Sequence, residues 1–81
     1  MKSVRAKFRC TAEKTSKFSP GADSARSYEF QALYDPSIPE DERYAKYTPT
    51  GSVTIGVDNP NVIFEPGRSY YLDFTEVDAE E

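Results

Sequence analysis

Histidine is absent from this 81-residue chain, and cysteine occurs once. Without histidine there is no Ser–His or Cys–His nucleophilic pair, no imidazole metal ligand, and no commonest general base. One cysteine builds neither an internal disulfide framework nor a zinc site. No G-x-x-x-x-G-K-[S/T] or G-x-G-x-x-G stretch occurs, so nucleotide-cradling loops of those kinds are missing. No run approaches the roughly 20 apolar residues that a membrane-spanning helix needs. The basic N-terminus has no apolar run behind it, so no secretory signal is expected. Adjacent acids such as Asp41 and Glu42 read as solvated helix-start residues rather than catalytic groups. The expectation is a non-enzymatic chain with no metal, no cofactor and no membrane partner.

What is present is aromatic and charged. Six Tyr and five Phe stand in a composition that is only 37% hydrophobic. So short a chain has a small core, and aromatic rings must supply much of it, which favours a pleated sheet. The net charge of −4 is unevenly spread. Residues 1–34 hold seven Lys and Arg against three Asp and Glu, and residues 35–81 hold three against eleven. Either two patches of opposite sign result, or basic and acidic strands lie side by side and neutralise each other. The second reading is preferred.

The chain is organised around residues 48–75, TPTGSVTIGVDNPNVIFEPGRSYYLDFT. Pro49-Thr50-Gly51 is a turn signal. Ser52–Val57 then alternates, with Val53, Ile55 and Val57 on one face. Gly56 inside it suggests a bulge or a close backbone contact. Asn59-Pro60 suggests a capped helical turn over residues 61–65. Pro66-Gly67 fits the centre of a type II turn, with Gly67 at positive φ. Ser69–Thr75 is a second alternating strand, with Tyr70, Leu72 and Phe74 on one face and Tyr71, Asp73 and Thr75 on the other.

The pattern T-P-x-G, a short strand, N-P, then F-x-P-G-x-x-Y-Y-x-D-F-T resembles small proteins of tailed bacteriophages. It is carried by Thr48, Pro49, Gly51, Asn59, Pro60, Phe64, Pro66, Gly67, Tyr70, Tyr71, Asp73, Phe74 and Thr75, with a looser likeness over residues 4–10. That family has no assigned activity. The resemblance implies a viral setting, either the cytoplasm of a host cell or the virion.

Residues 4–11 alternate as a strand with Val4, Ala6, Phe8 and Cys10 inward and Arg5, Lys7, Arg9 and Thr11 outward. Cys10 therefore reads as a small buried hydrophobe in a reducing compartment. Residues 15–25 form a polar connection in which Phe18 either folds back or stands exposed. Residues 26–34 give a strand with Tyr28, Phe30, Ala32 and Tyr34 on one face. In a hairpin of these two strands, Glu29 and Gln31 lie near Arg5, Lys7 and Arg9. Ser37-Ile38-Pro39-Glu40 matches a capping box, which predicts a helix of about two turns over residues 41–47, with Tyr44 and Tyr47 on one face capping the sheet. Residues 76–81 form an acidic tail.

The resulting expectation is one mainly β domain over residues 1–75, a compact antiparallel sheet or small open barrel of four to five strands with one short helix. Phe8, Phe30, Ile55, Leu72 and Phe74 are expected in one core. The expected function is non-catalytic protein binding of phage type, as an inhibitor of a host protein or a ligand-capturing protein. The alternatives are a virion component, such as a capsid decoration or head–tail protein, and single-stranded nucleic-acid binding. The last has a stacking and charge surface in its favour but pI 4.8 against it. Candidate binding residues are Arg5, Lys7, Arg9, Tyr71 and Asp73. Tyr71 has a competing reading, burial under the helix. The charges of the first strand look like edge protection, whereas Ser52–Val57 carries none and, at an edge, would pair with a second copy or a partner strand.

Overall fold

A computed structural model describes residues 3–16 and 25–78. Four antiparallel strands form one curled, half-barrel sheet. They are β1 (Ser3–Ser16), β2 (Ala25–Leu33), β3 (Ser52–Val57) and β4 (Ser69–Thr75), in the order β3-β2-β1-β4. The positions expected for Phe18 and for the tail beyond residue 78 lie outside the described residues. No described helix is long and apolar enough to cross a membrane.

β1 is central, not an edge strand. Its first half pairs with β4 from Ser3↔Thr75 to Arg9↔Ser69, and its second half pairs with β2 as far as Ser16↔Ala25. Arg5, Lys7 and Arg9 therefore guard no edge; they stand on the outer face. β1 also continues past Thr11, where polar composition gives no alternation to read. The register shifts between Cys10 and Ala12. One extra residue at a bulge flips the side chains that follow. Glu13 consequently lies opposite Tyr28 and accepts the Tyr28 hydroxyl at 3.0 Å.

The inner face carries the core. Ala6, Phe8 and Cys10 of β1, Tyr28 and Phe30 of β2 and Val57 of β3 are buried together, with Ile55 and Leu72 half-buried against them. Phe74 departs from the expected core: it is 54% exposed. It sits near the end of an edge strand, opposite Val4 at the start of β1. Gly56 marks no bulge; it pairs regularly with Ser27, and a Cβ there would meet nothing.

Two links close the inner face. β3 and β4 lie at opposite edges, so residues 58–68 must cross the sheet. Phe64 in this link packs edge-on against Tyr28, Phe30 and Tyr70 at centroid distances of 5.2, 5.3 and 5.2 Å. Instead of the expected helical turn, Asn59 accepts the Asn61 and Val62 amides through its side-chain and backbone oxygens. The link ends in the predicted type II turn: the Arg68 amide donates to the Glu65 carbonyl, and Gly67 has φ +96°.

The other link, residues 34–51, forms no helix beyond a single 3-10 turn at Glu40–Glu42. Seven residues are too few to hold a helix without strong packing. Ser37 does not cap; its amide and hydroxyl both donate to Asp35 at 2.9 and 2.7 Å. Arg43 leaves the turn extended and bridges to Arg5 beside β1. Tyr44 lies over Phe8, as a sheet cap should, at 6.3 Å, but Tyr47 is 66% exposed.

Candidate functional site

Alternation along β1 and β4 places Arg5, Lys7, Arg9, Tyr71 and Asp73 on one surface, the outer face. The register opposes Arg5 to Asp73 and Lys7 to Tyr71. Arg5 donates to both carboxylate oxygens of Asp73, at 2.7 and 3.2 Å. The same guanidinium lies over the Tyr71 ring, 5.0 Å from its centroid. That hydrogen bond, with the charge behind it, holds the Arg5 pKa above its ordinary value and the Asp73 carboxyl below its own. Both groups are solvated, so the pair orients side chains more than it stabilises the fold. Arg9 opposes Gln31 and Ser69, two neutral residues.

Tyr71 is neither free nor covered. Its ring is half exposed, and its hydroxyl donates to Asp35 at 2.8 Å. Asp35 is buried and also takes both Ser37 donors. Hydrogen bonds from the Ser37 hydroxyl, then Tyr71, then the Ser37 amide lower its pKa to about 2. Asp35 thus fixes the Tyr71 ring, a role absent from the sequence reading. The signal was present: continuing the alternation of β2 past Leu33 puts Asp35 on the outer face. Glu42 also approaches Arg5, and a groove of about 270 Å³ runs between Ser3, Val4, Arg5, Glu42, Asp73 and Thr75.

The charge layout is one of neutralisation. Basic β1 lies between strands that carry acids, with Arg5 on Asp73 and Lys14 on Glu29. Glu29 pairs with Lys14 rather than with the cations nearer the N-terminus, because the bulge shifts the hairpin. Among the described residues, no cluster of three or more His, Cys, Asp or Glu is placed to hold a metal. Cys10 is buried among core residues. The space under the 34–51 link, between Ala6, Ile38 and Tyr44, is about 10 Å³, room for no more than a water. No protein-family model matches the sequence, no curated protein matches it, and no solved structure matches it.

Proposed function

We propose that this chain is a non-catalytic protein-binding domain of tailed-phage type, which engages a host protein through the outer face of β1 and β4. The observation that carries the reading is the contrast between the two faces. The inner face is filled by the chain's own Phe64 and Tyr44, which leaves little room to capture a ligand there. The outer face holds Arg5 and Tyr71 stacked and oriented, with Lys7 and Arg9 beside them. Tyr and Arg held in place are the residue types that dominate protein interfaces, because little entropy remains to be lost. Arg5 is paired with Asp73, while Lys7 and Arg9 make no ion pair among the described residues, which favours a partner surface that brings carboxylates to them.

Assembly into a virion is the second reading, favoured by the sheet edges at β3 and β4, each paired on one side only among the described residues. Nucleic-acid binding is weaker, because a pI of 4.8 leaves no clear basic footprint for a polyanion. The test uses the protein and a Lys7→Glu/Arg9→Glu variant as parallel baits in host lysate, with purified virions probed for the protein. One host protein retained by the parent and lost by an equally stable variant is the expected result. Equal retention by both baits rejects the outer face. Stoichiometric presence in virions moves the protein to the second reading.

A further inference from the structure

We propose that two copies of this chain join along β4, antiparallel about a two-fold axis through Leu72, into one continuous eight-stranded sheet. The proposal does not rest on the host-protein reading, since the outer face stays exposed in such a dimer.

The direction of the backbone groups is the first observation. At the start of the β1–β4 ladder the Cys10 amide donates to the Arg68 carbonyl, and the Gly67 amide donates to the Cys10 carbonyl. Pairs in an antiparallel ladder alternate between bonded and non-bonded. Phe8–Tyr70, Ala6–Leu72 and Val4–Phe74 are therefore the bonded pairs in this register. Ser69, Tyr71, Asp73 and Thr75 accordingly turn their amides and carbonyls toward the free edge. The edge has no proline, no lysine and one charge, and Arg5 already offsets that charge. It lacks the usual devices that keep edges apart.

The side chains then select the register. Centred on Leu72, Tyr71 opposes Asp73 of the second copy and Ser69 opposes Thr75, so every outward-turned residue is bonded. Tyr70 opposes Phe74 and Leu72 opposes Leu72, as non-bonded pairs whose side chains lie close. Phe74, exposed in the single chain, gains an aromatic neighbour. Centring on Tyr71 leaves Phe74 uncovered, and centring on Asp73 sets two carboxylates face to face.

The other edge offers less. Val53 and Ile55 of β3 pack on the core as Tyr70 and Leu72 of β4 do, but β3 has no exposed large apolar side chain to match Phe74, so pairing there covers less apolar surface. A closed barrel, with β4 of each copy on β3 of the other, is antiparallel throughout. An eight-stranded barrel, however, has room inside only for side chains. Each copy already fills its inner face with the Phe64 link.

Sedimentation equilibrium over a wide concentration range tests this. The parent should pass from 9.1 kDa to twice that mass. Thr75→Pro removes an edge amide that takes no part in the β1 ladder, and it should sediment as a folded monomer throughout. Leu72→Cys places two thiols across a non-bonded pair about 4.5 Å apart at Cα, within disulfide reach, so mild oxidation should lock the dimer. Thr54→Cys on β3 should not lock. A monomer at all concentrations, a dimer that Thr75→Pro leaves intact, or locking through Thr54→Cys overturns the proposal. Should Leu72→Cys not fold, the comparison of the parent with Thr75→Pro decides alone.

Discussion

Truncating Phe64 to Ala tests whether the crossing link is what closes the inner face. A fully buried Phe costs about 3–5 kcal/mol when cut to Ala. Phe64 is half-buried, so its transfer contribution is smaller, about 2 kcal/mol. It also loses edge-on contact with Tyr28, Phe30 and Tyr70, pairs worth about 0.5–1.5 kcal/mol each beyond area, in part overlapping. The sum is about 3–4 kcal/mol, a large share of the roughly 4–12 kcal/mol expected for a chain of this length. At about 4–8 °C per kcal/mol, the melting temperature should fall by about 15–25 °C. Thermal and urea melts followed by circular dichroism measure this, at low protein concentration so that association does not enter. Phe74→Ala is the counterpart: a ring that is 54% exposed should cost no more than about 1 kcal/mol. Were Phe64→Ala to melt within a few degrees of the parent, or Phe74→Ala to cost as much, the closed inner face would be wrong.

At Gly67 the φ of +96° penalises any side chain, although a Cβ there meets nothing within 4 Å. Gly67→Val should therefore lower the urea midpoint by more than Gly67→Ala, with at least about 1–2 kcal/mol lost to the backbone alone, and an unchanged midpoint would remove the type II turn. Asp35 sets a pH dependence. Its folded pKa lies near 2, below the ordinary 3.8, so its stabilising contribution is present above 3.8 and is lost as pH falls through 2. The melting temperature of the parent should drop across that window, and Asp35→Asn should flatten the drop; identical profiles would detach Asp35 from the Ser37 and Tyr71 hydroxyls.

Alternation made much of the fold legible. Val4, Ala6, Phe8 and Cys10, or Ser52–Val57, state their faces outright, because the pleat has a period of two and each strand has one buried side. The shared outer face of the candidate residues follows from the same alternation once β1 pairs with β4. Strand order was not legible: the charges of Arg5, Lys7 and Arg9 suit an edge strand and equally the open face of a central one. The bulge after Cys10 was hidden because Thr11, Ala12 and Glu13 carry no apolar period to break. Residues 41–47 have helical composition and acids placed for a helix dipole, yet local preference over so few residues yields to tertiary contacts made by Arg43 and Tyr44. Phe74 has the right face for the core, but alternation cannot say how far along an edge strand the core extends.

The links, which alternation cannot describe, share a logic of their own. Strand order forces the 58–68 link across the sheet, and the 34–51 link detours along β1. Chain on such paths has no ladder, so its carbonyls need other donors. Arginine supplies several from one side chain. Arg26 donates to the carbonyls of Asn59 and Val62 at 2.8 and 3.2 Å, and also to the Tyr28 hydroxyl. Arg43 donates to those of Pro36, Ile38 and Lys46 at 3.3, 2.9 and 2.9 Å, while lying over the Tyr34 ring. Two cations thus stand where a larger protein would place helices. The basic residues of the chain thus divide into two classes. Arg26 and Arg43 are committed to carbonyls of their own chain, whereas Lys7 and Arg9 stand on the outer face with no carbonyl bond of that kind among the described residues.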